Sequence, residues 1–157
     1  MKKIVFICRG NLIRSQICKA VYNKLKMDDS WAEGYGLEVE ADGNEGVEIG
    51  KHEYLSVLMK IMMENGMNIS HEVSKQLTEE YLKDASKIIY MGSKKNIPDW
   101  MSKYNYEYWE DCLNDVEKNK DFNLNIKVPK FGDEWDVKET ILLLENKVED
   151  LMRRIRE

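Results

Sequence analysis

Apolar and polar positions along this 157-residue chain follow two different periods, and the switches between them mark its elements. Lys3-Ile4-Val5-Phe6-Ile7 is a short β-branched, apolar run of the kind that makes a buried strand. From 15 to 25 the apolar residues fall at 17, 20, 21 and 25, which is helical spacing. Leu37-Glu38-Val39-Glu40-Ala41 alternates as a strand does, and Gly43, Gly46 and Gly50 then mark a loop. A helix over 54–65 places Leu55, Leu58, Met59 and Met62 on one face and stops at Gly66, its methionines read as core packing. Residues 78–83 read as a short helix and 85–91 as a fully buried strand. Residues 94–104 read as a helix interrupted near Pro98, and 106–109 as the last strand. The terminal helix is the clearest: Val137, Ile141, Leu144, Val148, Leu151 and Ile155 recur at spacings of 4, 3, 4, 3 and 4, with Asp136-x-x-Glu139 as a capping box. The polar segment 114–127 lacks periodicity and reads as a long surface loop. Four strands with intervening helices predict an α/β fold: a three-layer, doubly wound, four-stranded parallel sheet with helices on both faces, over one domain spanning 1–157. Ligands of such sheets sit at the carboxyl ends of the strands.

Composition narrows the function. A net charge of −5, with 34% charged residues, leaves no basic excess for nucleic acid. No apolar run approaches the ~20 residues that span a bilayer, so no membrane partner is expected. Three cysteines do not make a disulfide framework and no signal peptide is read, which points to a reducing cytoplasm. His52 and His71 stand apart from any cluster with metal-ligand spacing and read as surface residues, so no metal or cofactor is expected. Trp31, Trp100, Trp109 and Trp135 read as packing residues, Trp135 with a second option beside an aromatic substrate.

The chemistry concentrates in Cys8-Arg9-Gly10-Asn11-Leu12-Ile13-Arg14-Ser15, between the first strand and the first helix. A turn there aims backbone N–H groups into one concavity at a helix N-terminus, where orphan donors and the dipole favour an anion. Gly10 is expected to ease the turn through positive φ. The same field favours the thiolate of Cys8, the nucleophilic form. Arg14 can bind two oxygens of a phosphoryl group at once, and Ser15 can donate a hydrogen bond to the sulfur. Asn11 can tie the loop to itself, and Arg9 can help capture an anion.

This stretch, with Ile4 to Ile7 before it, resembles the phosphate loop of low-molecular-weight protein tyrosine phosphatases and of the arsenate reductases that share their fold. Gly66-Met67-Asn68-Ile69 with Ser74-Lys75-Gln76-Leu77-Thr78, and then residues 83–91, resemble the family's approach to its third strand and that strand itself. The resemblance implies Cys8 as nucleophile and Arg14 as phosphate clamp. It makes Arg9, Gly10, Asn11, Leu12, Ile13 and Ser15 the rest of the phosphate-binding loop, with Asn11 and Ser15 as its stabilisers. Implied partners are a phosphorylated protein or a small phosphomonoester, and no cofactor. Two departures stand out. The family's Asp-Pro catalytic loop reads Val128-Pro129-Lys130-Phe131-Gly132-Asp133 here, so Val128 stands at the place of the general acid and Asp133 becomes the candidate acid, with Asp111 and Asp115 behind it. Ile13 replaces a second cysteine that many relatives carry, and neither Cys18 nor Cys112 matches the relay pair of arsenate reductases. The expected reaction is phosphomonoester hydrolysis through a cysteinyl-phosphate. The alternatives are an arsenate reductase-like thiol enzyme, and a phosphate-binding module with weak turnover.

Overall fold

The computed structural model describes residues 2–109 and 134–156. Strand β1 (Lys3–Cys8) is buried along its whole length and lies at the centre of the sheet. It pairs in parallel with β2 (Trp31–Gly36) on one side and β3 (Ala85–Met91) on the other, and β4 (Glu107–Tyr108) completes the order β2-β1-β3-β4. The chain leaves β1 for β2 on one side and returns to β3 on the other. The carboxyl end of β1, where Cys8 stands level with Gly36 and Met91, is therefore a topological switch point.

Alternation along β1 feeds two cores. Ile4 and Phe6 face α1 (Arg14–Leu25), α2 (Ser56–Glu64) and α3 (Glu134–Arg156), packing with Ile17, Val21, Leu58, Met62, Leu144 and Val148. Val5 and Ile7 face the other way, onto Leu77, Leu82 and Met101, carried near or within the 3-10 helices Glu79–Leu82 and Asp99–Lys103. The three layers are thus helices, parallel sheet and short helices. Trp109 is buried in the first core, and Trp100 packs at the margin of the second. Among the described residues no helix is long and apolar enough to cross a membrane.

Several elements differ from the sequence expectation. The second strand is Trp31–Gly36, not 37–41. Its two glycines hide the strand pattern, while the alternation at 37–41 reflects two anchors of a loop: Val39 fully buried and Leu37 against the second core. The helix over 94–104 is two 3-10 turns, Lys94–Asn96 and Asp99–Lys103, because Pro98 supplies no N–H and Ile97 before it is extended. The short helix expected over 78–83 is present as the 3-10 helix Glu79–Leu82, flanked by Thr78 and Lys83. Helix α3 already begins at Glu134, so Asp136 lies inside it, its carbonyl accepting from Thr140 Oγ1 at 2.8 Å, and is not a cap. Gly66 does end α2, with φ +80°. The segment 114–127 and the catalytic-loop residues 128–133 lie outside the described residues, as do Asp111, Cys112 and Asp115.

Candidate active site

β1 delivers Cys8 to the rim of the sheet, and the chain then turns through Arg9–Ile13 before Arg14 opens α1. The first and last members of the motif thus sit on the two rigid elements, with the loop between them. The sulfur of Cys8 is buried, receives the Asn11 backbone N–H at 3.3 Å, and lies 3.0 Å from Ser15 Oγ.

The direction of that second bond follows from its neighbours. Asn11 Oδ1 accepts the Lys75 backbone N–H at 2.9 Å, which fixes the amide so that Nδ2 faces Ser15 Oγ at 2.7 Å and donates to it. Ser15 Oγ is then an acceptor toward Asn11, and its own hydrogen is directed at the sulfur. Two donors converge on Cys8 Sγ, an arrangement that suits a thiolate.

The positive φ of the loop belongs to Asn11, at +51°, and not to Gly10. Asparagine tolerates this region because its side chain bonds locally, and here that side chain is buried and fully engaged. The Asn11 carbonyl accepts from Ser74 Oγ and from Gln16 Nε2, each at 3.1 Å. Gln16, 1% exposed, also reaches Val73 O at 3.3 Å. The loop is thus keyed to residues 73–75, which lie beside the end of β2: Gly36 N–H donates to Lys75 O at 3.0 Å, and Leu77 N–H to Gly36 O at 2.8 Å.

Sequence reasoning missed this buttress. Gly34 and Gly36 leave room for the loop: a Cβ at Gly36 would lie 2.8 Å from both Arg9 O and Asn11 N, and one at Gly34 would lie 3.1 Å from Asn11 Nδ2. The Gly34-x-Gly36 spacing beside a buried strand was the available signal. Gln16, Ser74 and Lys75 offered none, since their role depends on partners far along the chain.

The segment 37–46 wraps the outside of the loop. Leu37 N–H donates to Cys8 O at 3.1 Å and Glu38 N–H to Arg9 O at 2.9 Å. Arg9 Nη2 lies 3.5 Å from Asp42 Oδ1. His71 is exposed as expected. His52 instead is half-buried, packed edge-on against Tyr54 with its Nε2 buried and unpartnered among the described residues. Cys18 is buried in the first core, its sulfur 3.8 Å from Met91 Sδ. Among the described residues no three His, Cys, Asp or Glu side chains cluster as metal ligands.

Known proteins share this fold and part of this sequence. A human low molecular weight phosphotyrosine protein phosphatase is 35% identical over 80 residues, which are 50% of this chain and 48% of the human protein, so the match spans about half the length of that curated relative. The low molecular weight protein tyrosine phosphatase of T. tengcongensis superposes with a TM-score of 0.66 at 21% identity, covering 98% of this chain and 99% of that one. The thioredoxin-dependent arsenate reductase of Corynebacterium glutamicum gives 0.64 at 22% identity, covering 99% of this chain and 62% of its own. At such identities the two structures speak for the fold. The profile described as "Low molecular weight phosphotyrosine protein phosphatase" matches residues 3–157, and on that match the chain belongs to the low molecular weight phosphotyrosine protein phosphatase family.

Proposed function

We propose that this protein hydrolyses phosphomonoesters, of protein phosphotyrosine or of small aryl phosphates, through a cysteinyl-phosphate. The observation that carries the reading is the pair of donors converging on Cys8 Sγ, Asn11 N–H at 3.3 Å and Ser15 Oγ at 3.0 Å, at the end of β1 and one loop before Arg14. In the first step the sulfur attacks phosphorus in line. The S–P bond forms as the ester P–O bond breaks, and the departing oxygen takes a proton. Arg14 and the amides of Arg9, Gly10, Asn11, Leu12, Ile13 and Arg14 stabilise the equatorial oxygens, where most of the catalysis of phosphoryl transfer resides. In the second step water attacks phosphorus, inorganic phosphate leaves, and the Ser15 hydroxyl stabilises the sulfur as it regains its electron pair. No metal or cofactor enters these steps.

With Val128 at the expected place of the acid, Asp133 is the residue proposed to give the proton to the leaving group and to take one from water. The nucleophile must stay reduced, which suits a cytoplasmic location. The arsenate reductase reading needs a second thiol to resolve the first; among the described residues the other thiol, Cys18, is buried in the first core against Met91, and Cys112 lies outside the described residues.

The test is turnover of para-nitrophenyl phosphate and phenyl phosphate. Cys8→Ser abolishes both, and acid-quenched wild type carries phosphate on Cys8. Asp133→Asn slows the substrate with the poorer leaving group, phenyl phosphate, by about 100- to 10,000-fold, the usual worth of a general acid, and slows para-nitrophenyl phosphate less. Hydrolysis that survives Cys8→Ser overturns the mechanism. Equal effects of Asp133→Asn on the two substrates remove Asp133 from the role.

A further inference from the structure

We infer that Arg9 reads a second anionic group on the substrate, so that the site prefers phosphomonoesters bearing a carboxylate or another phosphate close to the ester. The inference rests on the phosphomonoester reading above and names its substrate class more narrowly.

Arg9 follows the nucleophile directly, and its backbone is pinned by the Glu38 N–H on its carbonyl at 2.9 Å. Its guanidinium is less firmly engaged than the side chains of Lys19 and Arg154, and stands at the same range as the loose surface pair Lys103–Glu79 at 3.5 Å. Nη2 stands 3.5 Å from Asp42 Oδ1, whereas Lys19 meets Glu72 at 2.7 Å and Arg154 grips Glu107 through two bonds of 2.7 and 2.9 Å. Charge-assisted bonds form at about 2.7–2.9 Å, so the Asp42 contact is a weak, single-oxygen one. Arg9 Nε, at the other edge of the fork, is buried and has no acceptor among the described residues. A buried donor without an acceptor is unfavourable until one arrives. A carboxylate or phosphate offers two oxygens with the spacing of that fork, which Asp42 does not supply at this distance.

The surroundings turn this demand into selectivity. Asp42 sits in an exposed turn, its N–H donating to Glu38 O at 3.0 Å and followed by Gly43 at φ +75°, and its side chain is 31% exposed, as Arg9's is 24%. Burial, and then the negative charge of Asp42, push the Tyr54 phenol above its ordinary value. Tyr54 is half-exposed. Glu38, Glu40 and Glu45 on this segment repel anions in general, so a second anion gains only by direct contact with the guanidinium. When it binds, the guanidinium swings off Asp42 and turns its Nε edge to the new oxygens.

The test measures binding of phenylphosphonate and 3-carboxyphenylphosphonate by calorimetry, with wild type, Arg9→Leu, Arg9→Lys and Asp42→Asn, each checked for cooperative thermal unfolding. The expected result is five- to tenfold tighter binding of the carboxylated ligand to wild type, about the worth of one well-formed charge-assisted contact at a rim. The ratio falls to about one in Arg9→Leu, falls partway in Arg9→Lys, which keeps the charge without the fork, and rises at least twofold in Asp42→Asn, which removes the competing oxygen. A ratio of one in wild type, a ratio unchanged in Arg9→Leu, or equal weakening of both ligands, as a mere brace of the loop would give, overturns the inference. Phenylphosphonate that binds without preference overturns this inference alone. Failure of both ligands to bind, with no hydrolysis of para-nitrophenyl phosphate, overturns the phosphomonoester reading and this inference together.

Discussion

Adding one methyl group at Gly36 is expected to damage the candidate site more than adding one inside the loop itself. An alanine Cβ at 36 would stand 2.8 Å from Arg9 O, 2.8 Å from Asn11 N and 2.7 Å from Val39 Cγ2. Two of those three atoms are backbone, so no change of rotamer relieves them. Either the loop or the end of β2 must move by about half an ångström, and overpacking of this kind costs about 1–3 kcal/mol. The atoms displaced are also bonded ones: Arg9 O accepts the Glu38 N–H at 2.9 Å, and Asn11 N–H is one of the two donors on Cys8 Sγ. Loosening either adds about 1 kcal/mol, for a total near 2–4 kcal/mol. A 1 Å misplacement can cost about 100-fold in rate, so a fall in kcat/KM of roughly 10- to 100-fold on para-nitrophenyl phosphate is expected. At Gly10 the nearest atoms to an added Cβ are Leu12 side-chain carbons at 3.6 and 3.7 Å, and its φ is not positive. Gly10→Ala should therefore stay within about 1 kcal/mol of wild type, the usual range of a substitution that meets no close neighbour. Urea unfolding followed by circular dichroism, beside the turnover assay, ranks the two variants. If Gly36→Ala matches wild type in both measurements, or Gly10→Ala is the worse of the two, the account of the buttress is wrong.

Three further outcomes follow from single residues. Asn11→Gly keeps the positive φ but deletes the bonds to Ser15, Lys75 and Gln16, and should cost about 2–3 kcal/mol in urea unfolding; Asn11→Ala should cost about 1 kcal/mol more, because it also meets the left-handed penalty, and equal values for the two variants would contradict that strain. The carboxyl of Glu107 is held down to about 2 by the two-bond grip of Arg154, with Trp109 and Lys87 adding to it. Because the folded value is depressed, its stabilisation is complete above about pH 4.5 and is lost as pH falls toward 2; the gap in thermal stability between wild type and Glu107→Gln, roughly 1–3 kcal/mol after allowance for partial exposure, should close over that window, and a gap independent of pH would refute the assignment. Ser15→Ala removes the hydroxyl aimed at the sulfur and should slow release of phosphate from the cysteinyl-phosphate more than its formation, so that rapid-quench experiments show a larger burst than wild type; a smaller burst would place the hydroxyl's effect in the first step.

What was legible in the sequence, and what was not, divides by the range of the interactions. β1, its loop and α1 are consecutive, so an apolar strand run, a five-residue turn and a helical repeat specify Cys8, Arg14 and Ser15 within twenty-odd residues. α3 was equally plain, since a 23-residue helix states its buried face many times over. The strand β2 was misplaced because Gly34 and Gly36 are poor strand formers, chosen for the room they leave and not for local preference. Leu37 and Val39, which mimic a strand, anchor a segment in which the amides of Leu37 and Glu38 are spent on the carbonyls of Cys8 and Arg9. Gly10 drew the expectation of positive φ by residue type, yet Asn11 takes it, because only the asparagine side chain can bond Ser15 on one side and Lys75 on the other while its backbone turns. The strained residue is therefore the one most firmly held, by contacts reaching 64 positions along the chain. The donors around Cys8 are thus positioned by the protein's own contacts with Gly36, Ser74 and Lys75, an arrangement of the preorganised kind on which electrostatic catalysis relies.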